Sequence, residues 1–170
     1  AQGDVYAFLK RTAEALEVYG AALALFRAVG DRLGEANTLQ AQGDVYAFLK
    51  RTAEALEVYG AALALFRAVG DRLGEANVYA GLSRLLIDED LQESRRMLDS
   101  ALAIRQEIND VYGEGANLGN YGIALLQRGR QEEALTYLQR ARELFASRNL
   151  DAQAQQMDAL IAQAQRAGSD

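Results

Sequence analysis

The sequence has no histidine, cysteine, proline or tryptophan among its 170 residues. Without histidine, a Ser-His-Asp triad and an imidazole metal site are excluded, and without cysteine, so are disulfides, thiolate nucleophiles and thiolate metal ligands. No other nucleophile and base pair is evident. We therefore expect a protein that is not an enzyme and carries neither a metal nor a cofactor. A chain without cysteine is also compatible with a reducing compartment, and we expect a cytoplasmic location.

Lysine and long apolar runs are scarce as well. The only lysines are Lys10 and Lys50 and the formal net charge is −6, so no basic face is available for nucleic acid. No apolar run approaches the roughly 18 residues of a membrane span, so we expect no membrane partner. The abundant residues are Ala, Leu, Glu, Gln and Arg, which are strong helix formers. The composition therefore predicts an all-α fold.

A perfect internal repeat organises the chain. Residues 1–37 recur unchanged as residues 41–77, which sets a period of 40, and a period of this size is typical of stacked supersecondary units. Within one unit, apolar residues at spacings of three and four predict helices over about 33–49 and 53–69. We expect a break at residues 50–52, with Thr52 capping the second helix. Gly70 and Asp71 are then suited to end one helix and cap the next.

Two later units have diverged but keep small residues at matching positions. The four sets are Gly3, Ala15 and Ala22; Gly43, Ala55 and Ala62; Ser83, Ser94 and Ala101; and Gly122, Ala134 and Ala141. Small side chains allow two helices to approach closely, so these positions predict tight helix pairs. Asp90 followed by Glu93 predicts a capped helix start, and the acidic turn 88–90 is more simply a capping turn than a cation site. A last helix from about Ala152 to Ala167 is expected to cap the stack.

The unit reads Leu39-x2-Gln42-Gly43-x2-Tyr46 and then Ala55-x3-Tyr59. This pattern resembles the tetratricopeptide repeat, although the unit has 40 residues instead of about 34 and lacks the final proline. It is similar to the longer variants of Pins-type adaptors, kinesin light chains and bacterial regulators. The resemblance implies a right-handed α-solenoid of antiparallel helix pairs in a single domain, 1–170. Its predicted parts are a truncated repeat 1 (1–34), repeat 2 (35–74), repeat 3 (75–113), repeat 4 (114–150) and a capping helix (151–170).

The resemblance also implies a function. In such arrays the first helix of each unit lines a concave groove that takes a peptide or partner domain, so we expect a protein-interaction scaffold, the repeat fragment of a larger adaptor or regulator. Asparagines would bond the peptide backbone, charged residues would select its pattern, and phenylalanines would anchor it. The matching positions are Asp4, Phe8, Asn37, Gln40, Asp44, Phe48, Asn77, Arg84, Asn120 and Gln127. The alternative is that these residues form only the solvated sides of helices.

A different class of function is self-assembly. Identical units have interchangeable interfaces, and a truncated first helix would leave the predicted helix Ala13–Val29 partly uncovered. End-to-end stacking or exchange of repeats would then give a homo-oligomer. Most of the tyrosines at 6, 19, 46, 59 and 79 fall at core spacings, which favours packing over a stacking ladder for a ligand.

Overall fold

The computed structural model describes residues 2–167, with side chains for residues 11–166. In that part the chain forms eight α-helices and no strand, which confirms the all-α prediction. The helices are α1 (Gln2–Val29), α2 (Arg32–Phe48), α3 (Thr52–Val69), α4 (Arg72–Leu85), α5 (Leu91–Glu107), α6 (Val111–Leu126), α7 (Gln131–Ser147) and α8 (Asp151–Ala167). Consecutive helices pack in pairs, and the chain divides into two compact units, Ala1–Gly81 and Leu82–Asp170.

Aspartate caps set the starts of several helices. The Asp31 carboxylate accepts a hydrogen bond from the Gly34 backbone N–H at 2.8 Å, and Asp71 repeats this bond to Gly74 at 3.0 Å. Asp90 likewise accepts from the backbone N–H of Glu93, at 3.0 Å. Helix α3 ends at Gly70, whose φ of 73° lies in the left-handed region that glycine adopts without strain. The predicted caps at Asp71 and Asp90 are confirmed.

The predicted cap at Thr52 is wrong. The N-cap of α3 is Arg51, and its side chain makes no capping bond. Arg51 instead pairs with Glu54 in the first turn, while Lys50 takes a positive φ of 57° to reverse the chain. Since Thr52 is already the first helical residue, its hydroxyl is not placed to cap the helix that it begins.

The expected separate helix before Ala13 is also wrong, because α1 runs without a break from Gln2 to Val29. The identical residues 42–69 instead form the end of α2, a turn and α3. That turn puts Lys50 in the left-handed region, at a cost of roughly 1–2 kcal/mol. In the second copy, the 17-residue helix α2 packs on α3, and this packing offsets the cost of the turn. In the first copy, residues 1–8 correspond only to the last two turns of α2, so there is less helix to pack and the cost is not offset. A continuous helix avoids the turn.

Small residues of α2, α3, α6 and α7 lie where these helices approach closely. Ala55 and Ala62 of α3 are fully buried, and a Cβ added at Gly43 of α2 would lie 2.5 Å from the Tyr59 ring. In the second unit, a Cβ at Gly122 of α6 would lie 2.8 Å from Leu138 Cγ. A larger side chain at either glycine would force the helices apart. The prediction of tight helix pairs is therefore confirmed for the sets that begin at Gly43 and Gly122. It is wrong for Gly3, Ala15 and Ala22, which all lie on the single helix α1.

Candidate functional site

Four of the predicted groove residues share one face of α2. Asn37, Gln40, Asp44 and Phe48 are spaced by three, four and four residues, so they line up along the helix. Asn37, Asp44 and Phe48 are exposed, and Gln40 is half-buried. Phe48 has 64% of its surface accessible, which is unusual for so large an apolar side chain. We call these four residues the α2 stripe.

Asp44 is held in place from the core. The buried Tyr59 donates its hydroxyl hydrogen to Asp44 Oδ1 at 2.6 Å. A Cβ at Gly81 of α4 would lie 2.7 Å from the same tyrosine oxygen, so the glycine makes room for the hydroxyl. Tyr59 is therefore a packing residue, as predicted, and it also orients a stripe carboxylate. Sequence reasoning missed that second role because Asp44 and Tyr59 are 15 positions apart, on two helices joined by a turn.

A charged and aromatic cluster lies just beyond the end of the stripe. The Arg51 guanidinium lies 4.7 Å from the centroid of the Tyr46 ring and also pairs with Glu54. The hydrogen bond from Arg51 lowers the pKa of Glu54. Near the turn that follows Phe48, Arg51 therefore makes both an ion pair with Glu54 and a cation–π contact with Tyr46.

The remaining predicted site residues are distributed over both units. Asn77 is half-buried on α4 in the first unit. In the second unit Arg84 is half-buried, and Asn120 and Gln127 are exposed near or on α6. The side chains of Asp4 and Phe8 lie outside the described residues. The structure thus brings together the four residues of the α2 stripe, while a continuous groove through all ten residues stays a prediction.

The second unit contains a cleft that sequence reasoning did not identify. It has a volume of about 220 Å³ and lies among α6, α7 and α8. Its lining residues are Tyr112, Gly115, Ala116, Gly119, Asn120, Ile123, Phe145, Gln153, Gln156 and Met157. We call it the α6 cleft. Of the predicted site residues, only Asn120 contributes to it.

The spacing of the small residues relates the α6 cleft to the α2 stripe. Gly43 and Gly122 are 79 residues apart, as are Ala55 and Ala134. The same offset carries the stripe positions 37, 40, 44 and 48 to Ala116, Gly119, Ile123 and Gln127. Three of these four counterparts line the cleft. This offset is the signal by which the sequence could have located part of the site.

The acidic turn before α5 behaves as a structural turn. Asp88 Oδ2 accepts from Arg128 Nε at 2.7 Å, and Asp90 caps α5. Within the described residues, no group of three His, Cys, Asp or Glu side chains could hold a metal ion. Among the helices of that same part, none combines the length and apolarity needed to cross a membrane.

Comparison with known proteins gives a family and a structural relative. The sequence matches the tetratricopeptide repeat model over residues 1–68, 48–107 and 85–147. The fold is similar to the crystal structure of BtubC (BKLC) from P. vanneervenii, with a TM-score of 0.67 and 24% sequence identity. The similarity covers 86% of this chain and 61% of BtubC, so the chain spans less than two thirds of that relative. At this identity the similarity shows the fold. A search of curated proteins finds no match.

Proposed function

The chain belongs to the tetratricopeptide repeat family, and we propose that it is a non-catalytic scaffold that binds an extended peptide of a partner protein along the α2 stripe. Repeats of this family support protein interaction in general. The observation that carries the proposal is the 64% exposure of Phe48 on the same helix face as two amides and a carboxylate. Aromatic side chains are frequent anchors of binding energy, and amides both donate to and accept from a peptide backbone.

Asp44 indicates the charge of the ligand. Its carboxylate is exposed, yet one oxygen is fixed by the Tyr59 hydroxyl, so little side-chain entropy is lost when it binds a cation. The protein carries a net charge of −6, which attracts a basic segment over a distance. We therefore propose a peptide that places a Lys or Arg opposite Asp44 and an apolar residue near Phe48.

The test uses peptides selected from a random library on the wild-type protein. We expect Phe48→Ala to weaken a selected peptide by roughly 30-fold, as loss of an anchor residue does. Leu56→Ala is the matched control, because Leu56 is an exposed apolar residue of α3 outside the stripe. Asp44→Asn keeps an acceptor for Tyr59 and removes only the charge, so it should reduce affinity mainly at low salt. Unchanged affinity in both stripe variants would remove the assignment.

We further propose that the chain serves within a larger cytoplasmic adaptor or regulator. The support is its coverage of only 61% of BtubC, which leaves room for other parts in a protein of that kind. The test is to fractionate cells that express the native gene and detect the product by antibody. We expect a product larger than 18.5 kDa in the cytosolic fraction.

Self-association through α1 is a second candidate function. Val18, Leu25 and Val29 are 65%, 68% and 77% exposed, whereas Val58 and Leu65, the copies of the first two in α3, are half-buried. An uncovered apolar face on an identical helix suits a second copy of the chain. Light scattering should then show a mass that rises with concentration in the wild type but not in Val18→Glu/Leu25→Glu. Ala64→Glu, at an exposed position of α3, is the control, and a wild-type monomer at every concentration would exclude this function.

A further inference from the structure

We propose that the α6 cleft binds an uncharged aromatic side chain of a partner peptide. This inference rests on the proposed peptide-binding function and adds the residue class that the second unit recognises. The cleft is formed within the unit Leu82–Asp170, so it can be tested independently of the α2 stripe.

The size and walls of the cleft suit an aromatic ring. A benzene ring fits in a closed cavity of about 150 Å³, and the cleft, which is open to solvent, has a volume of about 220 Å³, so a ring fits by size. Phe145 and Met157 are almost fully buried beneath it, and Tyr112 stands at its edge with 57% of its surface exposed. The ring centroids of Tyr112 and Phe145 lie 6.0 Å apart in a tilted arrangement. Rings and thioethers are favourable neighbours for a further ring.

Comparison of the two helices shows what opens this space. Asn37, Gln40 and Asp44 of α2 are replaced in α6 by Ala116, Gly119 and Ile123. At the first two positions α6 therefore has a smaller, apolar residue than α2, and at the third it has an aliphatic side chain instead of a carboxylate.

A glycine also brings the wall of the cleft close to α6. A Cβ at Gly119 would lie 3.0 Å from Met157 Sδ, so the glycine lets the thioether approach the helix. Met157 therefore lies against α6 at the base of the cleft, and polar groups contribute at least as much of the exposed lining as apolar groups do.

The polar groups of the cleft determine the charge that it accepts. None of the ten lining residues is charged. Asn120, Gln153 and Gln156 carry amides, which can bond a peptide backbone around an inserted side chain. A Lys or Glu side chain would lose hydration in the cleft without gaining an opposite charge from its lining. The cleft should therefore discriminate in favour of neutral rings.

Methionine methyl NMR can test the cleft directly. The chain has two methionines: Met157 lines the cleft, and Met97, on α5, is not part of its lining and serves as an internal reference. N-acetyl-phenylalaninamide and N-acetyl-tyrosinamide should shift the Met157 methyl signal in a saturable manner, with millimolar affinity, and leave Met97 unchanged. N-acetyl-lysinamide and N-acetyl-glutamate amide should shift neither signal. No saturable Met157 shift with the aromatic amides, or an equal shift with the charged ones, would overturn the proposal.

A variant that fills the cleft provides the second arm. Ala116→Leu should weaken the Met157 response at least tenfold. The substitution should be tolerated, since the counterpart position 37 carries an exposed asparagine. Ala103→Leu, at an exposed position of α5, is the matched control and should bind as the wild type does. Ile123→Asp, which restores the charge found at position 44, should also abolish the response. Wild-type binding by both cleft variants would contradict the proposal.

The two proposals fail separately. Phe48→Ala should leave the Met157 response to the small amides unchanged, because these probes need no contact with α2. If Phe48→Ala and Asp44→Asn leave the affinity of selected peptides unchanged while Met157 still responds to aromatic amides, only the stripe assignment fails. Peptides selected on the wild type should contain an aromatic residue that peptides selected on Ala116→Leu lack. Equal aromatic content in the two selections would overturn the link between the cleft and the partner.

Discussion

Two hydroxyl groups and one backbone carbonyl are linked by hydrogen bonds in the interior of the second unit. Ser83, Ser94 and Tyr121 are fully buried. Ser94 Oγ donates to the Ser83 carbonyl oxygen at 2.6 Å and lies 2.7 Å from the Tyr121 hydroxyl oxygen. Because Ser94 has only one hydroxyl hydrogen, Tyr121 must donate its own to Ser94. Burial raises the pKa of Tyr121, although the hydrogen bond with Ser94 acts in the opposite direction.

Tyr121→Phe should therefore destabilise the protein in a manner that depends on pH. Below pH 10 we expect a loss of about 1 kcal/mol for the missing hydrogen bond. An unfolded tyrosine ionises near pH 10, and the folded pKa is higher, so the wild type loses stability as pH rises above 10. The difference in the free energy of unfolding between the wild type and Tyr121→Phe should then become smaller as the pH rises above 10. Urea unfolding at pH 8 to 11 measures it, with the exposed Tyr112→Phe as control. A difference that stays constant across this range would contradict the assignment.

The identical segments 12–29 of α1 and 52–69 of α3 differ in their surroundings. Phe66 of α3 is fully buried, whereas its copy Phe26 of α1 is half-buried. Tyr59 and Tyr19 show the same contrast. Both phenylalanine rings pack against a glycine of the following helix, Gly74 or Gly34, so the local contact is conserved and the difference lies on the opposite side. Tertiary packing therefore decides how much each copy contributes to stability.

This contrast predicts unequal costs for the same substitution. Phe66→Ala should lower the free energy of unfolding by about 3 to 5 kcal/mol, the range for a buried phenylalanine. Phe26→Ala should cost less, about 1 to 2 kcal/mol, because part of that ring already contacts solvent. Urea denaturation of both variants at low protein concentration makes the comparison. Equal losses would mean that another surface covers α1 in solution.

Local signals account for the elements that the sequence predicted well. Apolar spacing and the aspartate caps placed α2, α3 and α8 within one or two residues. The predicted break before Ala13 was wrong, because α1 is continuous there. In the second copy the same residues, Lys50 to Thr52, fold as a turn because the long helix α2 packs on α3. The 79-residue offset could have located the α6 side of the cleft. Gln153 and Gln156 could not be found this way, since α8 has no counterpart in the repeat.

At the scale of the whole chain, stability should vary from one helix pair to the next. In repeat proteins each unit contributes its own stability and that of its contacts with neighbours, so units with fewer neighbours open more readily. Opening α3 must expose Ala55, Tyr59, Ala62 and Phe66, which are all buried. Opening α1 exposes copies of these residues that are already half-buried.

Native-state hydrogen exchange can compare the opening of α1 and α3 without a correction for intrinsic exchange rates. The segments 17–27 and 57–67 have the same sequence and the same flanking residues, so their intrinsic exchange rates are equal. Any ratio of measured rates is then a ratio of opening equilibria, and we expect exchange on the order of a hundredfold slower in α3. Resolved amide signals in NMR are needed, because peptides from the two segments have the same mass. A different outcome is that α1 and α3 are equally protected at high protein concentration and that α1 loses protection on dilution. This result would indicate that a second copy of the chain covers the face of Val18 and Leu25.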